Sequence, residues 1–291
     1  MKFITKAVLV CVALPCSSIA VAAACSSEQI AVNQVNASIL VDQTPSFVVP
    51  KSINMLIESK DGFMQGKGAF TFDHCGGLLQ ADIVQGRNEK APKGILTTIF
   101  SMHASRREYG WDTVMTFRNS FTETLTEKNT LFVNAQIKGA YLVNSKGAIE
   151  KSGDITEGIY GTLKQTSTAM THYQYNAKGQ IVSAKRTSSL KSDRTFTHFN
   201  YNAAGQLTGK QSASRKSEYS YDKSGRLAKE ISIQFFSTTE KAVTRCLKRD
   251  KFDQCINAVE HVTIIIPDNA GGKDQIEEHD VNVNRSYIYW E

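Results

Sequence analysis

The segment YQYNAKGQI at Tyr173–Ile181 recurs as FNYNAAGQL at Phe199–Leu207 and as YSYDKSGRL at Tyr219–Leu227. Each copy has an aromatic residue, a variable residue, Tyr, Asn or Asp, two variable residues, Gly, a variable residue and an aliphatic residue. Agreement at this many positions in three copies indicates an internal repeat rather than a chance match.

The chemistry of each copy predicts a β-hairpin. Aromatic residues two positions apart lie on one face of a strand. Asn or Asp followed three residues later by Gly is typical of a type I turn, and the Gly can adopt the left-handed conformation that joins this turn to the returning strand as a bulge. Successive hairpins are expected to pair side by side into a twisted antiparallel sheet.

Weaker copies of the repeat occur at Phe72–Leu78 and Val143–Ile149. Further strands are predicted from β-branched and aromatic content, and a short helix is predicted near Ser26–Val35. The predicted strands are Thr113–Phe117, Thr130–Ile137, Ala258–Ile266 and Val281–Trp290. The predicted fold is therefore mostly β, a stack of antiparallel hairpins with little helix after the N-terminal leader.

The first 24 residues resemble a signal peptide. Lys2 and Lys6 precede an apolar stretch, and Ala22-x-Ala24 before Cys25 fits the small residues that signal peptidase accepts. A retained membrane-spanning helix is disfavoured because Pro15 and the polar residues after it interrupt the apolar run. We predict an exported protein with residues 1–24 as signal peptide, an N-terminal β region at 25–155 and a repeat-bearing region at 156–291. One continuous domain is the alternative.

The cysteines allow two arrangements. Cys25 follows Ala22, Ala23 and Ala24 in a sequence that resembles a lipoprotein cleavage site, so Cys25 is either a lipid anchor to a membrane or a disulfide partner of Cys75. The two arrangements exclude each other, because both use the Cys25 sulfur. Cys246 and Cys255 are close enough in sequence to form a disulfide across a hairpin, as an oxidising compartment allows.

The charge of the chain is uneven. Between Lys151 and Asp250 there are 17 Lys and Arg residues against 8 Asp and Glu residues. This excess serves solubility or attracts an anionic ligand of the cell envelope, such as lipid head groups or an acidic glycan. Nucleic acid is disfavoured as a partner because the protein is predicted to be exported.

Catalytic and cofactor-binding motifs are absent from the sequence. It contains no G-x-S-x-G, H-E-x-x-H, Walker or G-x-G-x-x-G motif, and we expect no cofactor. His172 and His198 occupy equivalent repeat positions and are weak candidates for a metal site, because no spacing fixes a third ligand. The repeat tyrosines Tyr175, Tyr201 and Tyr221 are expected to fill the core.

The repeats resemble the YD repeats of the RHS family, in which many hairpins wind into a shell that encloses a toxin. In length, order and C-terminal end the chain also resembles the YnfC-like lipoproteins of enterobacteria, a family without an assigned activity. The residues that carry this resemblance are the segment Pro50–Leu78, the repeat Tyr219–Gly225, the pair Cys246 and Cys255, and the ending Tyr287–Trp290. It implies a lipid anchor on Cys25 in the envelope of a Gram-negative bacterium.

These observations predict a non-enzymatic envelope protein whose β-sheet is a binding or scaffolding surface for an unknown protein or anionic ligand. Two alternatives remain. The RHS likeness allows an accessory or immunity factor for an exported toxin. A hydrolase of an envelope polymer would require His172, His198 and a carboxylate to meet in a cleft.

Overall fold

The computed structural model describes residues 25–41, 48–91, 93–235, 238–267 and 273–291. The predicted signal peptide, residues 1–24, lies outside them. An α-helix, α1 (Ser27–Val41), precedes the strands, and one 3-10 helix spans Lys191–Asp193. The strands are β1 (Pro50–Ser59), β2 (Met64–Phe72), β3 (Leu78–Ala91), β4 (Gly94–Arg107), β5 (Gly110–Glu123), β6 (Asn129–Val143), β7 (Ile149–Tyr160), β8 (Leu163–Tyr175), β9 (Ile181–Ser188), β10 (Thr195–Tyr201), β11 (Leu207–Gln211), β12 (Arg215–Tyr221), β13 (Leu227–Phe235), β14 (Thr239–Arg249), β15 (Cys255–Ile266) and β16 (Gln275–Tyr289).

The strands form one closed antiparallel barrel. Each strand pairs with the next along the chain, and β1 pairs with β16, with Ile53 opposite Tyr287 and Ile57 opposite Val283. The mostly β prediction is confirmed, but the predicted twisted sheet of stacked, YD-repeat-like hairpins is wrong, because the hairpins close into a barrel. The closing pair joins the first and last strands of the sheet. No local sequence pattern specifies a contact between segments so far apart in the chain.

The repeat turns have the predicted geometry. In the turn Asn176–Gln180, the amide of Gly179 donates to the Asn176 carbonyl at 3.0 Å, and the Asn176 amide donates to the Gln180 carbonyl at 2.9 Å. Gly179 has a φ of 74°, and the register of β8 against β9 shifts at the turn, as a bulge requires. The turns at Asn202 and Asp222 and the weaker copies at Asp73 and Asn144 have the same pair of hydrogen bonds.

A sixth turn of this kind was not predicted. At Asp250–Gln254 the left-handed position is held by Asp253, with a φ of 62°, instead of Gly. The Asp253 amide donates to the Asp250 carbonyl at 3.1 Å, and the Asp250 amide donates to the Gln254 carbonyl at 2.9 Å. Because Asp tolerates this conformation better than most residues, the turn forms without the glycine by which the other copies were recognised.

Side chains link neighbouring turns along this rim of the barrel. The Gln180 side chain donates to the Gly205 carbonyl at 3.0 Å, and the Gln206 side chain donates to the Gly225 carbonyl at 2.7 Å. Arg226 continues the series by donating to Asp253 at 3.0 Å. The repeated turns are therefore joined to one another as well as closed within themselves.

Helix α1 lies inside the barrel. Ala37 and Leu40 belong to a buried cluster with Phe70, Trp111 and Ile149, which face the interior from β2, β5 and β7. A second cluster, near the other rim, contains Phe63, Met64, Val262, Ile264 and Val281. Sixteen strands enclose more space than wall side chains can fill, so an interior helix and open space are both expected.

The elements are longer than the sequence predicted. The predicted helix near Ser26–Val35 extends to Val41, and the strands predicted in β5, β6, β15 and β16 all begin earlier than predicted. The last strand ends at Tyr289, one residue before its predicted end. The division into residues 25–155 and 156–291 stays a prediction, and β7 spans that boundary.

The left-handed glycine of the repeat can be tested by Gly179→Ala. An added Cβ would meet no heavy atom within 4 Å, so the substitution adds backbone strain without a clash. We expect it to lower the free energy of unfolding in urea by about 1–2 kcal/mol. The control is Gly86→Ala on β3, where φ is negative and the nearest heavy atom lies 3.9 Å from the new Cβ. Equal stability of the two variants would contradict the proposed role of Gly179.

Candidate binding lumen

Hydrogen bonds fix α1 to the rim that carries the repeat turns. The Asn33 side chain donates to the Cys75 carbonyl at 2.9 Å, and the Asn36 side chain donates to the Gly147 carbonyl at 2.8 Å. Asn36 also accepts the Ile149 amide at 2.9 Å and is 1% exposed. These contacts hold the helix against the β2–β7 side of the barrel and leave the opposite side of the interior open.

The first open space, the turn-end chamber, separates α1 from the repeat hairpins and has a volume of about 650 Å³. Its walls combine small helix residues with the aromatic positions of the repeats and the turns that follow them. They include Ala31, Val35, Ser38, Ile181, Phe199, Tyr201, Leu207, Lys210, Tyr219, Tyr221 and Leu227.

The second space, the mid-barrel chamber, lies beyond the C-terminal half of α1 and also has a volume of about 650 Å³. Its walls are mainly aliphatic, aromatic and thioether side chains. They include Ile39, Leu40, Val41, Met55, Ile57, Ile83, Phe100, Met102, Tyr173, Phe199, Lys210 and Arg215. Ser38, Phe199 and Lys210 line both chambers, so the two spaces adjoin at these residues. Together they form the lumen.

The tyrosines of the lumen act as hydrogen-bond donors. Burial, together with the neighbouring Tyr221, raises the pKa of Tyr201 to about 12, and burial also raises the pKa of Tyr221. Their hydroxyls therefore stay protonated at neutral pH. The Tyr221 hydroxyl donates to the Leu207 carbonyl at 2.8 Å, and the Tyr175 hydroxyl donates to the Ile149 carbonyl at 2.5 Å. The Tyr175 and Tyr221 hydroxyls thus bind neighbouring strands, and Tyr201 and Tyr221 also line the chamber.

The histidines singled out by the repeats lie away from the lumen. His172 on β8 and His198 on β10 are exposed on the outer face, opposite Lys185 and Ser183 of β9 respectively. Because β9 lies between them, their strands are about 10 Å apart. Among the residues that the structure describes, no three His, Cys, Asp or Glu side chains are grouped as a metal site requires.

The described part of the chain contains two disulfides. Cys246 is bonded to Cys255 across the β14–β15 hairpin, with the Cα atoms 5.8 Å apart. Cys25, just before α1, is bonded to Cys75 in the β2–β3 turn, with the Cα atoms 5.4 Å apart. This bond ties the start of the helix to the rim. A lipid anchor on Cys25 stays a prediction, and it would require this bond to be absent.

Sequence reasoning did not single out Ser38, Lys210 or Arg215 as functional residues. The sequence does indicate which face of each repeat strand points inward, because the aromatic positions of the repeat lie on that face. The register then places Lys210 opposite the inward-facing Phe199. Nothing in the sequence shows that α1 lies across the lumen from them.

Neither a protein-family model nor a curated protein matches the chain. Among solved structures, the chain is similar to a porin-like protein from Bacteroides uniformis, with a TM-score of 0.43 and 10% identity over 82% of this chain and 97% of the other. A porin-like protein from Bacteroides vulgatus gives a TM-score of 0.28 and 7% identity over 82% and 98%. The Photorhabdus luminescens Tc holotoxin pore gives a TM-score of 0.20 and 9% identity over 76% of this chain and 16% of that one. The function is therefore argued from the residues of this chain.

No helix within the described residues is both long enough and apolar enough to cross a membrane.

The state of Cys25 can be read from the intact mass of the mature protein after thiol alkylation. With both disulfides formed, we expect no labelled thiol before reduction and four labelled thiols after it, because Cys25, Cys75, Cys246 and Cys255 are all paired. A Cys75→Ser variant is the control and should expose one thiol, at Cys25. A mass increase from acyl groups on Cys25, with Cys75 labelled without reduction, would contradict the Cys25–Cys75 bond.

Proposed function

We propose that this chain is a non-enzymatic protein of the cell envelope that binds an apolar or amphipathic small molecule in its lumen. The observation that carries the proposal is the pair of adjoining chambers, each of about 650 Å³, with mainly apolar and aromatic walls. Small-molecule sites have volumes of roughly 300–1,000 Å³ and this kind of lining. The binding surface would then be the inside of the barrel and not the outer face of the sheet.

The outer face of the barrel exposes charged side chains among apolar ones. Lys67, Lys138, Glu157 and Lys185 are exposed near the middle of β2, β6, β7 and β9. A barrel that spans a membrane needs an apolar outward band, and a Lys at the bilayer midplane costs about 2–4 kcal/mol. Charged residues near the middle of four strands favour a location in the aqueous compartment of the envelope over a location in the membrane.

The walls of the mid-barrel chamber are mainly apolar. Ile83, Phe100 and Met102 face inward on β3 and β4, whereas Asp82 and His103 between them face outward and pair at 2.7 Å. Apolar surface that faces an open cavity remains available for a ligand, and burying it against an aliphatic chain contributes about 25 cal/mol per Å². The apolar lining of this chamber supports ligand binding inside the barrel.

The alternatives have less support. His172 and His198 lie on strands separated by β9, and neither lines the lumen, so the contacts of these two histidines do not favour a hydrolase. The immunity-factor role and membership of the YnfC-like lipoproteins remain proposals from sequence resemblance alone. A lipid anchor would add membrane attachment without changing the proposed role of the lumen.

Filling the lumen tests the proposal. The fluorescent apolar probe N-phenyl-1-naphthylamine should bind the mature protein, and Ser38→Trp should weaken binding by about tenfold or more, because Ser38 lies where the two chambers adjoin. The control is Thr166→Trp, at an exposed position on the outer face of β8. Circular dichroism should show that both variants melt as folded proteins. Absence of probe binding, or equal binding by the two variants, would overturn the proposal.

A further inference from the structure

We infer that the barrel docks on an anionic lipid surface through the tips of the β5–β6 and β7–β8 hairpins, at the rim opposite the repeat turns. The inference goes beyond the proposed function, because it concerns the outside of one rim and not the lumen. The docking residues, named here the apolar tip, are Leu125, Leu131, Phe132, Ile159, Tyr160 and Leu163.

The β7–β8 hairpin projects beyond its neighbour, the β9–β10 hairpin. Pairing of β8 with β9 ends at Ala169 opposite Ser188, whereas β8 continues along β7 as far as Leu163 opposite Tyr160. The segment Leu163–Thr168 therefore extends beyond β9 by about 20 Å of strand. The apolar tip thus lies at the end of a projecting part of the barrel wall.

The six residues of the apolar tip form one exposed patch. Leu125, in the β5–β6 turn, is 97% exposed and Leu163 is 72% exposed, while the other four are 36–43% exposed. The Gly161 amide donates to the Phe132 carbonyl at 2.6 Å, which holds the two hairpin tips together. Large apolar side chains exposed side by side mark an interaction surface.

Both faces of the β7–β8 tip are apolar. Tyr160 lies opposite Val133, which faces the interior, so the preceding Ile159 points outward. Leu163 and Ile159 are exposed on opposite faces of the same hairpin. A protein partner packs against one face of a hairpin, whereas a lipid surface surrounds an inserted tip on both faces. The exposure therefore favours lipid over a protein as the partner.

The charges around the apolar tip suit an anionic head group. Of the carboxylates at the neighbouring hairpin ends, Glu89 and Asp193 form ion pairs with arginines, which leaves Glu123 and Glu127. Against these two, five exposed lysines at the hairpin ends of this side of the rim form no ion pair among the described residues. They are Lys90, Lys93, Lys128, Lys164 and Lys191. Each lysine near an anionic membrane surface adds to the attraction.

The acidic part of the same rim lies on the far side of the barrel. Glu277 and Glu278 are at the start of β16, which is separated from β7 by the strands from β1 to β6. An anionic surface is therefore expected to meet the β5–β8 side of the rim first.

The outer face limits how deeply the tip enters the lipid. Glu157 is exposed two residues from Ile159 on the same face of β7, a distance of about 7 Å along the strand. Segments that lie in a membrane interface bury their apolar face by roughly 5–10 Å. The apolar tip fits this shallow depth, and the charged middle of the barrel remains in water.

The inward face of the same hairpins links the apolar tip to the lumen. Phe100 lines the mid-barrel chamber, and Phe117 lies opposite it on β5. Phe121, Val133 and Tyr160 continue this face to the rim. On the proposed function, docking would open the lumen towards the lipid that supplies an apolar ligand.

Vesicle flotation of the mature protein tests the docking. The protein carries no acyl group on Cys25, so that an anchor cannot account for binding. We expect it to float with vesicles of equal parts phosphatidylcholine and phosphatidylglycerol, and Leu125→Ser with Leu163→Ser to weaken binding by about tenfold or more. The matched control is Leu247→Ser with Ile288→Ser, which removes two equally exposed apolar side chains near the opposite rim and should bind as the parent does.

The lysines are tested by the preference for anionic vesicles over vesicles of phosphatidylcholine alone. Lys128→Gln with Lys164→Gln should reduce this preference by about fivefold or more, and added salt should reduce it in the parent. Lys223→Gln with Lys248→Gln, at exposed positions near the repeat turns, should leave it unchanged. Circular dichroism should show that all variants are folded, and Leu125→Ser alone serves if the double variant is not.

The outcomes separate the docking from ligand binding in the lumen. A parent protein that does not float, or a Leu125 and Leu163 variant that floats as the parent does, would overturn the lipid surface as partner. Sedimentation of the parent as a dimer that the same variant dissociates, without vesicle binding, would assign the apolar tip to a second copy instead. Binding of N-phenyl-1-naphthylamine in the absence of vesicles tests the lumen independently, and the tip variant should retain it.

Discussion

The pairing of β1 with β16 is the constraint on which the rest of the structure depends. It runs from Pro50 opposite Tyr289 to Ser59 opposite Val281, and it turns a meander of sixteen strands into a closed barrel. Closure satisfies the backbone groups of both terminal strands and removes the edges at which other chains could pair. Closure also fixes the diameter of the barrel. The enclosed volume is larger than the wall side chains can fill, so the interior must hold something else.

Helix α1 fills one side of that interior, and the lumen is the space that remains. Asn33, Asn36 and the Cys25–Cys75 bond attach the helix to the rim, while Leu40 and Ala37 pack on the inward residues of β2–β7. The chambers therefore lie between the helix and the repeat hairpins. The repeats contribute the aromatic wall, the linked turns of the rim and the wall that carries Lys210 and Arg215.

Local chemistry made the hairpins predictable. The Asn and Gly positions of the repeat specify the turn and the bulge, and alternation of aromatic residues specifies the face, so both follow from sequence. The turn that contains Asp253 could not be predicted in this way, because it forms without glycine. Closure of the barrel and insertion of α1 depend on contacts between distant segments, such as Asn36 with Gly147, and no periodic pattern encodes them.

The site was less predictable than the fold. The histidines that the repeats align, His172 and His198, face water, whereas the residues that line the lumen can be identified only once the strand register is known. The pairing of Cys25 with Cys75 was one of two arrangements left open by the sequence. The mainly apolar lining of the chambers is a property of the closed barrel, and neither the repeats nor the composition indicates it alone.

The most direct test of ligand binding in the lumen is a crystal structure of the mature protein with 12-bromododecanoate, in which anomalous scattering locates the bromine. The account predicts a bromine peak inside the lumen, beside Ile83, Phe100 and Met102. A bromine peak on the outer face, or chambers that hold only ordered water at saturating ligand, would contradict it.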